Sequence, residues 1–362
     1  MKKANAKKGS GILAGLLMLV AAVCLLWYNE GRTVKNQRAI NEAKKNYTDV
    51  SSEKIDPNYE GKLIATKGKM DLSEADTLTD SMFGISQKAA KMSRTVEMYQ
   101  WKETCETDDN NNRNCTYEKV WESSLIDSSN FEKEGHPNPS SMLCETEVLY
   151  SENVKLGAFT LPQELIKSLS YNKKKSGNEL AEEYKNDVEG IAVSGNYLTN
   201  VKENNPEIGD IRISFEYLDE ENVSVLAVQK GNTFEAFTAK NGKDIYRILS
   251  GNYTGAQILE KMTKQNNTMK WILRVVGLFL MIGGFNSIFS IITNLTDRIP
   301  ILGNIVSGTT GLVSAILGFA LSLLIIAIAW FRFRPLLSIA LLVIVAALLM
   351  YLKVYQKNQK NK

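Results

Sequence analysis

The sequence predicts an α+β membrane protein. Four transmembrane helices, one N-terminal and three C-terminal, would carry a large β-rich extracytoplasmic or luminal domain. Of the 362 residues, 44% are hydrophobic and 23% are charged, yet the apolar residues are concentrated in four long runs. Between the first and second runs, β-forming residues alternate with turn residues. The net charge of +3, with no basic stripe interleaved with aromatic residues, argues against nucleic-acid binding.

The four apolar runs have the length of transmembrane helices. Each contains 18 to 22 residues, and a helix needs about 20 to cross the hydrocarbon core of a bilayer. A helix on the surface of a soluble domain has a polar face, and these runs have none. The predicted spans are 11–28, 271–292, 311–331 and 335–352.

The first run is predicted to be a permanent anchor, although its cationic start would also suit an export signal. The apolar core of a signal peptide usually has about 7–15 residues and ends at a small-residue cleavage site. This run is longer, and no such site ends it. Trp27 and Tyr28 stand at its exit, as aromatic residues do at a membrane interface. Cys24 could mark a lipoprotein site, but Val23 before it fits poorly.

Lysines at both ends of the chain predict its orientation. The tails 1–10 and 353–362 each carry four lysines, and four spans would place both tails on the same side. The positive-inside rule makes that side cytoplasmic. We therefore expect residues 29–270 to form the extracytoplasmic domain. Arg332 and Arg334 would then lie in a tight loop on the far side, which departs modestly from the rule.

The region 29–270 is predicted to be mainly β-structure with a few helices. Helices are expected near Thr33–Asn46 and Leu161–Ser170. Thr254 and Gln257 have the spacing of a capping box, so a third helix is expected to begin there and to continue into the second span. Strands are expected within 61–68, 94–103, 117–126, 189–198, 210–218, 223–231 and 233–239.

Cysteine placement indicates a candidate disulfide. Cys105 and Cys115 flank a turn-rich loop between two predicted strands, and an oxidising compartment would allow the bond to form. Free thiols remain the alternative, and Cys144 is left over in either case. A zinc site is disfavoured because the chain has one histidine and no CxxC spacing.

Short motifs along the chain resemble those of one membrane protein family. They are Asn29, Glu30, Gly31 and Arg32 in "NEGR"; Glu97, Tyr99 and Trp101 in "VEMYQW"; Gly135, His136, Asn138 and Pro139 in "GHPNPS"; the segments 209–217 and 269–277; Asn286; and Arg334 and Pro335 in "FRPL". In order and spacing they resemble the transmembrane protein 43 family, also called LUMA, along nearly the full length. The loop between Cys105 and Cys115 departs from the family pattern.

The resemblance implies a non-enzymatic multi-pass membrane scaffold that organises membrane protein complexes and needs no cofactor. Animal members are expected in the endoplasmic reticulum and the inner nuclear membrane, where they take part in nuclear envelope organisation. There they associate with themselves, with emerin and with lamins. The role of bacterial members is unclear, and a bacterial chain would lie in the cell membrane.

Three features of the spans are candidate sites. A stripe of small residues would allow close helix packing, either among the chain's own helices or in self-association as a homo-oligomer. Asn286, an amide inside the second span, calls for a partner on a neighbouring helix. Arg274, Arg332 and Arg334 are candidates for contact with lipid headgroups, whose phosphates pair well with arginine. The stripe comprises Gly303, Ser307, Gly311, Ala315, Gly318 and Ser322.

Two other functions compete with the scaffold. In one, the chain is a lipid or envelope-stress sensor, in which a rigid helix over 255–292 relays the state of the extracytoplasmic domain. In the other, it is an extracytoplasmic enzyme. An enzyme would need converging acid–base groups, and the sequence offers His136 and scattered carboxylates. We expect His136, in a proline-rich turn, to be structural.

Overall fold

A computed structural model of the chain describes residues 2–107, 113–185, 188–203, 205–296, 310–331 and 335–360. Within these ranges there are two short 3₁₀ helices, Pro57–Tyr59 and Ser128–Asn130. The α-helices are α1 Lys2–Asn46, α2 Gln163–Lys167, α3 Gly177–Glu183, α4 Gly255–Thr296, α5 Thr310–Phe331 and α6 Pro335–Lys360.

Strands occupy much of the chain between α1 and α4. Every stretch in which the sequence predicts a strand contains one, and the α+β class is confirmed. The strands are β1 Thr48–Asp49, β2 Leu63–Asp71, β3 Thr77–Thr79, β4 Ser86–Lys88, β5 Lys91–Thr107, β6 Arg113–Glu122, β7 Glu147–Tyr150, β8 Lys155–Leu156, β9 Phe159–Thr160, β10 Lys173–Lys174, β11 Ala192–Ser194, β12 Tyr197–Thr199, β13 Ile211–Leu218, β14 Asn222–Lys230, β15 Thr233–Glu235, β16 Phe237–Thr238, β17 Asp244–Ile245 and β18 Arg247–Ser250.

The chain divides into two compact units. The helical unit comprises Met1–Lys45, Thr238–Lys243 and Leu259–Lys362. The β-rich unit comprises Asn46–Phe237 and Asp244–Ile258. The long apolar helices therefore belong to the helical unit, and most of the strands belong to the β-rich unit.

Three helical segments of the described chain are long and apolar enough to cross a membrane, namely Ile12–Asn46, Gly255–Phe289 and Gly311–Ala329. A shorter apolar segment, Leu342–Val354, lies in α6. These segments support a membrane protein, while the fourth span and the orientation stay predictions.

Helix α1 is longer than the sequence suggests. The sequence predicts a span that ends at residue 28 and a helical passage near Thr33–Asn46, and the structure places both in one helix that is continuous from Lys2 to Asn46. The reason lies in residues 29–46, which contain no proline and only one glycine. A single helical glycine costs about 1 kcal/mol relative to alanine, which is too little to end a long helix.

Helix α4 begins where the capping pattern predicts. The Thr254 amide donates to Gln257 Oε1 at 2.9 Å, and the Gln257 amide donates to Thr254 Oγ1 at 3.4 Å. The helix then continues without a break to Thr296. The predicted capping box and the continuous helix are both confirmed.

Glycines allow the membrane helices to approach closely. A Cβ placed on Gly284 of α4 would lie 2.8 Å from Leu19 of α1, and one on Gly277 would lie 2.6 Å from Leu26. A side chain at either position would require the facing leucine to move. Close backbone approach of this kind is the main source of helix association in lipid, where hydrophobic burial contributes little.

The β-rich unit contains two seven-stranded sheets, each with its own apolar core. In the first the order is β15-β14-β2-β8-β9, with β1 on β2 and β18 on β14. In the second the order is β11-β12-β13-β5-β6, with β10 on β13 and β7 on β5. The ring pair Phe159–Phe234 lies in the first core, and Phe83–Phe215 lies in the second.

Helix packing gives a stability prediction. A Cβ on Gly318 of α5 would lie 2.8 Å from Ile282 Cγ1 and 3.1 Å from Ile282 Cα, so Gly318→Leu must push α5 away from α4. We expect a loss of about 1–3 kcal/mol of stability, the usual cost of overpacking. The matched control is Gly311→Leu on the same helix, where no described atom lies within 4 Å of the added Cβ. Thermal denaturation in detergent should separate the two variants, and equal melting temperatures would refute the packing.

Candidate functional site

A cluster of buried polar residues joins α1 to α4 within the helical unit. Its members are on average more than nine-tenths buried, although buried polar groups are costly without partners. Thr33 lies three residues after Glu30 and four after Asn29, and Arg274 lies eight after Asn266, so on each helix the members are on one side. The members are Asn29, Glu30 and Thr33 of α1 and Asn266 and Arg274 of α4.

An ion pair forms the centre of this cluster. Arg274 Nε donates to Glu30 Oε1 at 2.7 Å, and a second guanidinium nitrogen donates to Oε2 at 2.9 Å. The Arg274 side chain is 9% exposed and the Glu30 side chain 1%. The guanidinium carbon also lies 4.8 Å from the centre of the Trp271 ring. The bidentate geometry makes this one of the stronger types of charge-assisted hydrogen bonding.

Amide side chains continue the cluster along both helices. Asn29 Nδ2 donates to the Lys270 carbonyl at 3.0 Å. One helical turn closer to the start of α4, Asn266 Nδ2 donates to the Thr33 carbonyl at 3.1 Å and Asn266 Oδ1 accepts from Asn36 at 3.4 Å. Each of these bonds forms only when its residue on α1 lies at the same height as its partner on α4, so together they fix the register of the two helices.

The cluster explains the "NEGR" motif. Asn29 and Glu30 bond to α4, and Arg32 donates to Asn29 Oδ1 at 3.3 Å. A Cβ added to Gly31 would have no described atom within 4 Å, so space does not require glycine there. Sequence reasoning identified the motif but missed its partner Arg274, which lies 244 residues away. The sequence does contain a signal for this pair. Glu30 lies just after the aromatic end of the first predicted span, and Arg274 lies just inside the aromatic start of the second.

The structure gives Arg274 a carboxylate partner, while its contact with a lipid headgroup stays a prediction. Arg332 and Arg334, the other headgroup candidates, lie outside the described residues, and so do Gly303 and Ser307 of the small-residue stripe. Pro335 is the first residue of α6. Asn286 is exposed on α4, and among the described residues no hydrogen bond to the expected partner is found.

The described part of the stripe divides between two environments. Gly318 is against Ile282, and the Ser322 hydroxyl donates to the Gly318 carbonyl within α5 at 2.7 Å. Ala315 is half-buried, whereas Gly311 is exposed. Gly318 therefore serves packing inside the chain, whereas a Cβ on Gly311 would meet no described atom within 4 Å.

A cavity of about 460 Å³ lies beside the ion pair, between α4, α5 and α6. Its walls are almost entirely apolar, and Trp271 and Arg274 are at one end. The remaining lining residues are Val275, Leu278, Phe319, Ser322, Leu323, Ile326, Ala340 and Ile344. The volume falls within the range of about 300–1,000 Å³ that is usual for small-molecule sites.

In the β-rich unit, the "GHPNPS" loop is held against the β5–β6 hairpin. The His136 ring stacks on Tyr117, with ring centres 4.0 Å apart, and meets Trp101 edge-on at 4.7 Å. Asn138 accepts from the Trp101 amide at 2.7 Å and donates to the Trp101 carbonyl at 2.8 Å. His136 is thus packed in an aromatic cluster. The Asn138 side chain makes the two backbone hydrogen bonds to Trp101 that a neighbouring strand would otherwise make.

The other motif residues of this unit also have structural contacts. Glu97 accepts two hydrogen bonds from Arg212 on the adjacent strand, at 2.7 and 3.0 Å. Tyr99 and Trp121 contact each other across the hairpin, with ring centres 5.1 Å apart. In the loop, Gly135 adopts a left-handed backbone conformation. Pro139 of the same loop lies against the region of Gly209.

Cys105 and Cys115 form a disulfide across β5 and β6, with an S–S distance of 2.01 Å and a Cα–Cα distance of 4.0 Å. With both sulfurs bonded, neither is a thiolate that could join nearby Glu103 in holding a metal. Cys24 and Cys144 are free thiols. Burial raises the pKa of Cys144, so this thiol is less reactive than an exposed one at neutral pH.

Several apolar helices and a separate β-rich unit define a multi-helix membrane protein, and the buried polar cluster links two of its long helices. The profile of the transmembrane protein 43 family matches residues 98–335, about two thirds of the sequence. The chain belongs to the transmembrane protein 43 family.

Similarity to individual relatives extends along most of the chain. It is 29% identical to transmembrane protein 43 of Homo sapiens over 345 residues, which covers 90% of this chain and 85% of the relative. It is 28% identical to the Drosophila melanogaster homolog over 351 residues, covering 91% and 90%. No solved structure matches the chain.

The ion pair gives a second prediction. Glu30→Gln or Arg274→Gln alone should lower stability by about 3–5 kcal/mol, because each leaves a buried charge without its partner. The double variant should lose less than the sum of the two single losses, since no unpaired charge remains. Thermal or denaturant unfolding in detergent measures the coupling. Losses that simply add would contradict a direct interaction.

The hydrogen bonds that Glu103 accepts give a prediction for the pH dependence of amide exchange at Glu132. Hydrogen bonds from the Tyr117 hydroxyl and from the Glu132 amide lower the pKa of Glu103. A carboxylate with a lowered pKa stabilises the fold above its unfolded pKa, and this contribution is lost as the pH falls through the folded pKa. Exchange of the Glu132 amide, corrected for intrinsic rates, should therefore accelerate at acidic pH. Glu103→Gln should remove this dependence, and an unchanged dependence in that variant would exclude Glu103 as its origin.

Proposed function

We propose that this protein is a non-enzymatic membrane scaffold, which associates with itself and presents its β-rich unit to other membrane proteins. The observation that supports the proposal best is the ribbon formed by the outer parts of β5 and β6. Beyond Trp101, β5 pairs with β6 alone, from Lys102 opposite Glu118 to Thr107 opposite Arg113. This part of the hairpin extends past the strands β7 and β13, which flank the inner part of β5.

The ribbon is well suited to recognition. Its residues 102–106 and 113–118 are exposed or half-buried and belong to neither apolar core. The disulfide and the Asn138 contacts hold it in one conformation before any partner arrives. Such pre-organisation lowers the entropy lost on binding. The ribbon holds the loop that contains His136 on one side, and we propose that its remaining exposed surface meets a partner.

The compartment depends on the source of the chain. By analogy with the resemblance described above, an animal protein would lie in the endoplasmic reticulum and inner nuclear membrane, with emerin and lamins among its partners. A bacterial protein would lie in the cell membrane with partners of its own. No cofactor and no nucleic acid is part of this proposal.

A charge reversal on the ribbon tests the presentation of the β-rich unit. Glu106→Arg combined with Glu118→Arg changes two exposed side chains of the ribbon. We expect this variant to lose protein partners that are crosslinked in membranes and identified by mass spectrometry. The control, Glu53→Arg with Glu182→Arg, makes the same charge change at exposed positions elsewhere in the unit. Equal partner yields from both variants would reject the ribbon as the binding element.

Self-association is tested separately on α5. Gly311→Leu should lower the yield of crosslinked oligomers in membranes several-fold, because Gly311 is exposed and a leucine there would hold a second helix away. The fold itself should be unaffected, since the added side chain meets no described atom within 4 Å of its Cβ. Unchanged crosslinking would remove Gly311 from the contact between copies.

The lipid-sensor alternative is favoured by one observation, the apolar cavity next to Arg274. A sensor must bind lipid selectively, and a scaffold need not. The occupant of the cavity is therefore the point on which the two functions differ.

A further inference from the structure

Strand β6 forms an open edge of its sheet. It has ten residues and is the last strand in the sheet order, paired with β5 alone. Strands in globular proteins usually have about 5–6 residues, so this edge is long. An unpaired edge presents a row of backbone N–H and C=O groups that another chain can bond. Strand β6 therefore offers a template for one further strand.

The backbone groups that face outward can be identified from the neighbours of β5. The Trp101 amide and carbonyl both bond to Asn138, so they point away from β6. Lys119 lies opposite Trp101. In an antiparallel pair, two opposed residues either exchange both hydrogen bonds or both point their backbone groups away from each other. Lys119 therefore points its N–H and C=O to the open edge, and every second residue of β6 does the same. These residues are Arg113, Cys115, Tyr117, Lys119 and Trp121.

This edge lacks the usual protection of an exposed strand. Natural edges are commonly blocked by proline, by a bulge or by a lysine. Strand β6 contains no proline, and its register with β5 is uninterrupted from Glu122 to Arg113. Its lysine, Lys119, has Nζ 5.1 Å from the centre of the Trp101 ring, so the side chain lies back over β5. Among the described residues, no hydrogen bond from another element reaches the five outward-facing backbone positions.

Side-chain charges on the hairpin define the chemistry of an added strand. The face with Trp101 and Tyr117 is covered by the loop that contains His136. On the opposite face, the charged residues between 102 and 122 are Lys102, Glu106, Glu118 and Glu122. One basic and three acidic residues give this face a net charge of −2, and Lys102 is already bonded to Glu122 at 2.9 Å. Cross-strand pairs of opposite charge are stabilising and like charges are destabilising. A strand beside β6 is therefore favoured by lysine or arginine at alternate positions.

We infer that a partner adds an extended segment, with basic residues at alternate positions, to the open edge of β6. Backbone hydrogen bonds to the edge supply affinity, and the acidic face selects the basic segment, as in other cases of strand addition. The inference rests on the proposed function, in which the ribbon meets a partner. It extends that proposal by naming the edge used and the chemistry of the segment bound.

A proline at one outward-facing position tests the edge in the same crosslinking experiment as the charge reversal. Lys119→Pro removes one outward N–H and keeps the bonds between β5 and β6, because an edge strand tolerates proline where its N–H faces away from the sheet. The matched control, Lys119→Ala, removes the same ammonium group from the Trp101 ring but retains the N–H. We expect Lys119→Pro to lower the yield of crosslinked partners several-fold and Lys119→Ala to match wild type. Circular dichroism and thermal denaturation check that both variants fold.

A defined peptide tests the chemistry of the segment without any variant. The probe is a peptide in which lysine alternates with valine, and the control peptide has glutamate in place of lysine. Both are added to the full-length protein in detergent, and backbone hydrogen exchange is measured. We expect the lysine peptide to slow exchange of the outward-facing amides of Tyr117, Lys119 and Trp121. The glutamate peptide should leave them unchanged.

The outcomes separate this inference from the proposed function. If the charge reversal loses partners while folded Lys119→Pro and Lys119→Ala retain them equally, the edge is not used and the inference is wrong, but the ribbon remains the binding element. If all these variants retain their partners, both proposals are wrong. If the lysine peptide leaves the outward-facing amides unprotected, or both peptides protect them equally, the inference is overturned. This last measurement decides the matter if Lys119→Pro does not fold.

Discussion

The buried pair of Glu30 and Arg274 is the interaction on which the helical unit depends most directly. Neither group is stable alone in an apolar environment, because a buried charge without a partner costs several kcal/mol. The two helices must therefore lie side by side at this level for either charge to be tolerated. The amide contacts of Asn29 with Lys270 and of Asn266 with Thr33 then hold the same register about one and two turns closer to the start of α4. In this way the pair selects one arrangement of α1 against α4.

Close glycine contacts provide the complementary part of the packing. Gly15, Gly277 and Gly284 bring α1 and α4 together farther along the pair, and Gly318 brings α5 onto α4. Polar bonds set the register and small residues set the distance. Where the walls are larger side chains, such as Phe319 and Leu278, the helices leave the apolar cavity beside Trp271.

Much of the fold could be predicted from local patterns. Apolar runs identify the membrane helices, alternating residues identify strands such as β13 and β14, and the Thr254–Gln257 spacing identifies the start of α4. Each of these signals depends on neighbours in sequence. The continuity of α1 is harder to predict, because the apolar run ends at Tyr28 while the helix goes on. Hydropathy and helix propensity are separate properties, and only the first changes at that point.

The candidate site was less predictable because its contacts are long-range. "NEGR" was recognised as a motif and Arg274 as a notable arginine, but nothing local to either indicates that they meet. In the small-residue stripe, by contrast, local spacing makes residues look equivalent that have different surroundings in the structure. Spacing treats Gly311 and Gly318 alike, whereas only Gly318 has a neighbouring helix among the described residues. Distinguishing them requires the positions of the other helices.

The register of α1 against α4 is most directly tested by crosslinking in native membranes. In the protein, the side-chain amides of Asn36 and Asn266 are 3.4 Å apart. Asn36→Cys with Asn266→Cys should react rapidly with a short bis-thiol crosslinker. Asn36→Cys with Asn267→Cys should react poorly, since Asn267 is exposed one position around the helix. Equal reaction of both pairs, or none in the first, would contradict the arrangement set by Glu30 and Arg274.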